Sequence, residues 1–151
     1  LDHLLAMLAV GLYAARQSGT AWRALPAGFV LAMLAGAGLG AAGIALPAVE
    51  TGIAASVLVL GLLIALAARL PLGAALPLVA AFAVLHGHAH QAEMGGASLA
   101  TYVTGFVLAT ALLHGIGYAL ARWMPQTAVG QRIQRMAGGA IAATGAVLLG
   151  A

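Results

Sequence analysis

The stretch AVETGIAASVLVLGLLIALAA, residues 48–68, contains one charged residue, Glu50, and is otherwise almost entirely apolar or small. A helix needs about 20 such residues to cross the hydrocarbon core of a bilayer. Lipid offers the backbone no hydrogen-bond partner, so a spanning segment must pair its own N–H and C=O groups, as an α-helix does. The sequence lacks the polar and apolar alternation that marks a barrel strand. The stretch therefore predicts a transmembrane α-helix.

The composition of the whole chain has the same character. Hydrophobic residues make up 64% of the sequence and charged residues 6%, whereas a soluble domain has about a quarter charged residues. We therefore predict an integral membrane protein. The six basic residues are all arginine and are scattered, which argues against a nucleic-acid surface. Because the chain has no cysteine, disulfides and thiolate metal sites are excluded.

Arginine, proline and glycine residues divide the chain into six apolar segments. These are Leu1–Ala15, Leu25–Leu46, Ala48–Ala68, Leu72–His90, Ser98–Ala121 and Met136–Ala151. We predict an all-α fold, a polytopic bundle of about six transmembrane helices with short loops, as a single domain over residues 1–151. The first segment is shorter than the roughly 20 residues that a span needs. We therefore expect the natural protein to have a further N-terminal stretch.

Arginines and acidic residues fall on opposite sides of this predicted bundle. Loops one, three and five share a side and contain every arginine of the chain, namely Arg16, Arg23, Arg69, Arg122, Arg132 and Arg135. The positive-inside rule makes that side cytoplasmic. The acids Asp2, Glu50 and Glu93 then lie at the outer face, and both termini face the periplasm. We predict a multi-pass protein of a bacterial inner membrane.

A second stretch, LHGHAHQAE at residues 85–93, concentrates rare polar groups at the outer end of the fourth segment. At about 100° per residue of a helix, His86, His90 and Glu93 share a narrow stripe and His88 lies on the far side. Two histidines one turn apart can chelate a metal ion. Imidazole and carboxylate together favour Ni, Co, Zn, Cu or Fe. The alternative is a solvated loop whose histidines bind nothing.

Asp2 and His3, at the start of the first segment, are predicted to lie at the same outer face. Together with the stripe they would supply the four to six ligands that a transition-metal site requires. The alternative for Asp2 is a helix-start acid favoured by the helix dipole. We therefore predict the metal ligands to be Asp2, His3, His86, His90 and Glu93.

Three further residues are candidates for an ion pathway, or for positions that contact the metal ligands and not the ion itself. His114 lies past the middle of the fifth segment, where it is either a hydrogen-bonded packing element or a relay on an ion path. Glu50 is either a helix-start acid or a residue that attracts or supports the ion. His88 remains a lesser candidate.

Small residues recur along the segments, as in Gly36-x-x-x-Gly40. Glycine lets helix backbones approach closely in lipid, where no hydrophobic effect drives association. We expect these glycines to serve packing. A gating role for Gly87, Gly115 or Gly117 is the alternative.

Several of these stretches together resemble the HupE/UreJ family, membrane proteins associated with nickel-iron hydrogenase and urease gene clusters. The family's first span carries a His-Pro-x-x-Gly-x-Asp-His motif, whose tail is present at residues 1–3. Its second motif, His-Gly-x-Ala-His-Gly-x-Glu, matches residues 86–93 with Gln91 in place of the second glycine. The segments PAVETGIAASVLVLGLLIA and GFVLATALLHGIGYAL are also similar, so the resemblance covers essentially the whole chain.

The resemblance implies a permease for uptake of a divalent transition-metal ion, captured at the outer face and passed inward between helices. Ni²⁺ would be the transported substrate, with Co²⁺ or Zn²⁺ left open, and neither an organic cofactor nor an enzymatic activity is expected. The expected partners are the metal ion and the lipid bilayer, without nucleic acid. A homo-oligomer and a cytoplasmic metal-trapping or metallochaperone partner stay open.

Two other functions fit the same residues. One is a metal-binding accessory or sensor subunit of a larger membrane assembly. The other is an intramembrane zinc hydrolase in which Glu93 activates a zinc-bound water. The sequence offers no recognisable second catalytic set for a hydrolase.

Overall fold

A computed structural model describes residues 1–95 and 98–151, without the side chain of Leu99. Within these ranges the chain forms six α-helices and no strand. They are α1 (Asp2–Ala14), α2 (Ala21–Ala41), α3 (Val49–Ala65), α4 (Leu72–Ala92), α5 (Leu99–Trp123) and α6 (Ala128–Gly150). The predicted all-α class is confirmed, and each helix corresponds to one predicted apolar segment.

Helix α2 ends five residues before the predicted boundary at Leu46, at Ala41. Gly43 takes the left-handed conformation with φ +73°, which glycine adopts without the steric cost of a Cβ. The N–H of Ile44 then donates to the carbonyl of Leu39 over 3.0 Å. This is the Schellman pattern, and it stops the helix although apolar residues continue beyond it.

Helix α6 begins at Ala128, eight residues before the predicted boundary at Met136. The Thr127 side chain caps the helix by accepting a hydrogen bond from the N–H of Gly130. A threonine cap satisfies one of the backbone donors that the first turn leaves unpaired. The first two turns mix apolar residues with two glutamines and two arginines, so a boundary drawn from hydropathy missed them.

Three helices among the described residues are long and apolar enough to cross a membrane: Ala21–Ala41, Leu72–Ala92 and Ala100–Trp123. Helices α1 and α3 have 13 and 17 residues and are shorter than a full span. Large apolar side chains such as Leu31, Leu108 and Leu112 are exposed, as expected of surfaces that face lipid. The count of six spans and the orientation of the termini stay predictions.

The helices pack mainly as three pairs, α2 with α4, α3 with α6 and α1 with α5. Contacts between α1 and α3 join two of these pairs, and contacts of α4 with α3 and of α2 with α1 attach the third. Tyr13 near the end of α1 is buried, and its hydroxyl accepts a hydrogen bond from the backbone N–H of Leu70 over 3.1 Å. This packing brings the start of α1 beside the end of α4, where the predicted ligands lie.

Glycines bring α2 and α4 into backbone contact. A Cβ at Gly36 would collide with the carbonyl oxygen of Val84, and a Cβ at Gly87 would collide with that of Met33. A Cβ at Gly115, in contrast, would meet no atom of the described residues within 4 Å. Close packing is therefore sufficient to explain Gly36 and Gly87.

We expect Gly36→Ala to destabilise the bundle and Gly38→Ala to leave it nearly unchanged. The two glycines lie on the same helix, but a Cβ at Gly38 meets nothing within 4 Å among the described residues. Overpacking typically costs about 1–3 kcal/mol. Thermal unfolding of the two purified variants measures the difference, and equal melting temperatures would contradict this account of the α2–α4 contact.

Candidate functional site

Three imidazole rings from two helices meet at one end of the bundle. His3 lies in the first turn of α1, and His86 and His90 lie one turn apart near the end of α4. The ring centroid of His3 is 4.6 Å from that of His86 and 4.7 Å from that of His90. We call His3, His86 and His90 the histidine cluster. The bundle thus brings side chains that are far apart in the sequence together where the start of α1 meets the end of α4.

The carboxylates of the predicted site each lie beside the Nδ1 atom of a histidine. Asp2 Oδ1 is 3.0 Å from His3 Nδ1 and also accepts the backbone N–H of His3 over 2.8 Å. Glu93 Oε2 lies 3.7 Å from His90 Nδ1, and the Glu93 side chain is 64% exposed. An acceptor at Nδ1 favours a proton there and leaves the lone pair on Nε2. His3 Nε2 is buried and has no hydrogen-bond partner among the described residues.

His86 is fully buried and bonds to helix α3 through Ser56. The Ser56 hydroxyl donates to the carbonyl of Ile53 over 2.6 Å. Its single proton is therefore used, so Ser56 Oγ accepts from His86 Nε2–H over 2.9 Å. The lone pair of His86 must then lie on Nδ1, which has no partner among the described residues. His86 is thus a neutral imidazole whose Nδ1 lone pair is buried and could ligate a metal ion.

Aromatic rings hold His90 from the other side. Its imidazole is stacked on the ring of Phe106 at 5.2 Å with an interplanar angle of 7°. Tyr102 makes an edge contact with His90 at 6.5 Å. These contacts restrict the plane of the His90 ring, whose Nδ1 faces Glu93.

The histidine cluster is not arranged as a finished coordination shell. Among residues 1–95 and 98–151, no group of three or more His, Asp or Glu side chains has a geometry that could hold a metal ion. The rings of His3, His86 and His90 pack against each other instead of aiming nitrogens at one point. Rotation of the rings would be needed to ligate an ion. The metal-binding role of these residues stays a prediction.

Two of the remaining candidates lie outside the histidine cluster. His88 Nε2 is 2.9 Å from the carbonyl oxygen of Ile44, so its ring bonds to backbone. Glu50 lies in the first turn of α3, is exposed, and lines a cavity of about 290 Å³ together with Asp2. A carboxylate near the cluster and a carboxylate of α3 therefore share one cavity.

His114, deeper in the bundle, is linked to the histidine cluster through Phe29. Both ring nitrogens of His114 are buried without a hydrogen-bond partner in the described part of the chain. The Phe29 ring is fully buried, 5.2 Å from the His114 ring and 5.8 Å from the His86 ring. The Phe29 ring therefore contacts both His86 and His114.

Sequence reasoning missed Phe29 and Ser56. A single phenylalanine in an apolar helix has no pattern that separates it from ordinary core. Ser56 also has no motif, since its role depends on the packing of α3 against α4.

Comparison with known proteins agrees with the motifs that flank this site. The family model described as HupE / UreJ protein matches residues 1–148. The chain belongs to the HupE/UreJ family. The resemblance predicted from the sequence motifs is confirmed.

A curated member of the family is similar along nearly the whole chain. It is Protein HupE of Rhizobium leguminosarum bv. viciae, 47% identical over 150 residues, which are 99% of this chain and 78% of the relative. No solved structure matches the chain significantly. Family membership implies a membrane protein related to nickel or cobalt transport, in a transporter-type family. The three helices able to cross a bilayer agree with that class.

Proposed function

We propose that the chain is a permease that takes up a divalent transition-metal ion, with Ni²⁺ as its substrate. The observation that carries the proposal is the convergence of His3, His86 and His90, in which His3 Nε2 and His86 Nδ1 are buried without partners. An unpaired buried polar atom is costly, and a native protein usually has a reason for it. Neutral imidazole nitrogens are ligands that Ni²⁺, Co²⁺ and Zn²⁺ accept.

The carboxylates serve capture in this proposal. Asp2 and Glu50 line a common cavity, and Glu93 lies exposed beside His90. Negative charge at a concave mouth raises the local concentration of cations. Asp2 and Glu93 also lie at the Nδ1 atoms of His3 and His90, and such contacts orient an imidazole ligand and increase its basicity.

The loose arrangement of the rings suits a transported ion better than a resident one. Conduction requires binding that is favourable enough for the ion to enter and weak enough for it to leave. A histidine cluster that must rotate its rings to coordinate the ion loses part of the binding free energy to that rearrangement. We propose that the ligands close around the ion only during transit.

The ion then moves inward past Phe29 to His114. The Phe29 ring contacts both His86 and His114 and is fully buried. In this proposal its side chain must move before the ion can leave the histidine cluster, so Phe29 separates two binding positions. With the arginine-bearing side cytoplasmic, a 2+ ion gains about 4.6 kcal/mol from an inside-negative potential of about 100 mV, twice the value for a single charge.

Uptake of radioactive nickel into cells that lack other nickel importers tests the proposal. Expression of the chain should increase uptake, and a membrane-permeant uncoupler should remove most of the increase. Competition by excess Co²⁺ and Zn²⁺ ranks the three substrates. Unchanged uptake in cells with the chain correctly inserted would reject the permease in favour of an accessory or sensor subunit.

We expect Glu50→Gln to raise the KM for Ni²⁺ about three- to tenfold while the maximal rate stays unchanged. Glu50 is exposed and shares the cavity with Asp2, so its charge acts on the approaching ion at a distance. Initial uptake rates at several nickel concentrations measure the effect. The difference should shrink in high salt, because exposed charges are screened over about 10 Å at 0.1 M. A lower maximal rate with an unchanged KM would contradict a role in capture.

A further inference from the structure

A basic cavity of about 450 Å³ lies at the far end of α1 from the histidine cluster. The ends of α1, α3 and α5 and the first turns of α6 meet around it. Its lining includes Arg16, Arg69 and Arg122 and four glutamine side chains. Guanidinium and amide N–H groups are hydrogen-bond donors. The cavity therefore has the donors and the charge that an anion requires.

In the described part of the chain, no carboxylate balances this charge. The chain has three acidic residues, Asp2, Glu50 and Glu93, which lie at the start of α1, the start of α3 and the end of α4. Among the described residues, no arginine forms an ion pair with a carboxylate. Burial lowers the pKa of Arg16, and the neighbouring charges of Arg69 and Arg135 lower it further. The positive charges repel one another, and an anion would relieve that repulsion.

Hydrogen bonds to backbone carbonyls already fix two of the arginines at or near the basic cavity. Arg16 Nη1 donates to the carbonyl of Ile64 over 3.1 Å, and Arg135 Nε donates to the carbonyl of Ala65 over 2.8 Å. The bond from Arg135 satisfies one of the last carbonyls of α3, which lack a partner within the helix. The carbonyl of Ile64 also accepts the N–H of Ala67, so Arg16 adds a second donor to it. A guanidinium has five N–H donors, so Arg16 keeps others for a ligand. Arg16 is thus oriented in advance at the wall of the cavity.

We propose that this cavity binds a phosphate group, with two nitrogen donors of a guanidinium matching two phosphate oxygens. An anionic phospholipid headgroup is the favoured source. Trp123, adjacent to Arg122, is 83% exposed, and exposed tryptophan is enriched at the headgroup level of membranes. Basic cavities between helices at the cytoplasmic surface bind such headgroups. The proposal is independent of metal transport.

Lipid binding by the purified protein tests the proposal, with the double variant Arg69→Gln/Arg122→Gln as the probe. Native mass spectrometry in a neutral detergent compares phosphatidylglycerol with phosphatidylcholine. We expect the unchanged protein to prefer phosphatidylglycerol and the variant to bind it about tenfold more weakly or worse. Both side chains are exposed, so the fold should persist, and circular dichroism checks the helical content. The single variants should each show an intermediate loss.

The double variant Arg23→Gln/Arg132→Gln is the matched control, because it removes the same charge from arginines that do not line the cavity. In a second arm, inorganic phosphate is added to the lipid-free protein and the melting temperature is followed. A phosphate-dependent rise that the cavity variant loses, without preference between the lipids, would assign the site to a soluble phosphate. Equal weakening in both double variants, or no response to either anion, would overturn the proposal.

Discussion

Replacing His90 with alanine is expected to reduce Ni²⁺ uptake to that of liposomes without protein. His90 is one turn from His86, and its ring is 4.7 Å from His3, so the substitution removes one nitrogen of the histidine cluster. Loss of a ligand from a transition-metal site removes both binding free energy and the geometry of the site. Uptake of radioactive nickel into proteoliposomes measures the effect.

His88→Ala is the matched control on the same helix. Its ring bonds to the carbonyl of Ile44, so uptake should stay near the level of the unchanged protein. His86 is fully buried and bonds to Ser56, so His86→Asn is preferred to alanine to limit the cavity that remains. Its melting temperature is measured beside its uptake. If the folded His88 and His90 variants lose equal amounts of nickel uptake, the division of α4 into a stripe of metal ligands and a non-ligating His88 is wrong.

Replacing His114 with phenylalanine is expected to lower nickel transport at least about tenfold without preventing nickel binding at the histidine cluster. The new ring keeps the bulk and the edge contact with Phe29, which the His114 ring makes at 5.2 Å. It removes the two buried nitrogens that lack partners in the described residues. Transport into proteoliposomes and calorimetric binding in detergent separate the two effects.

Thr110→Val is the control for the His114 substitution. Thr110 lies one turn away on α5, is buried, and donates its hydroxyl to the sulfur of Met33 over 3.6 Å. Removing that weak hydrogen bond should leave transport nearly unchanged. If His114→Phe transports at the normal rate, His114 is a packing residue, and the inward route past Phe29 is wrong.

Hydropathy predicted the helices well because lipid leaves a spanning backbone few alternatives to the α-helix. It predicted their ends poorly, since these depend on local hydrogen bonding. The left-handed Gly43 stops α2 within an apolar stretch, and the Thr127 cap starts α6 within a polar one. Boundaries of this kind are set by single residues, which hydropathy averaged over a stretch of sequence does not detect.

The candidate site was predictable where it follows helical periodicity. The period of a helix placed His86 and His90 on one face and His88 on the other, and the topology brought His3 to the same end. The bond from Ser56 to His86 and the contacts of Phe29 with two histidines depend on how α2, α3, α4 and α5 pack. One sequence contains no signal for those contacts, because serine and phenylalanine at these positions look like ordinary core.

Nickel flux into proteoliposomes under an imposed potential tests the central claim most directly. A potassium gradient with valinomycin sets the interior negative, and luminal nickel is counted after external metal is removed with a chelator. We predict accumulation that increases with the potential and is lost in the His90→Ala variant. If the unchanged protein binds Ni²⁺ but the lumen gains none at any potential, the chain is a metal-binding subunit and not a permease.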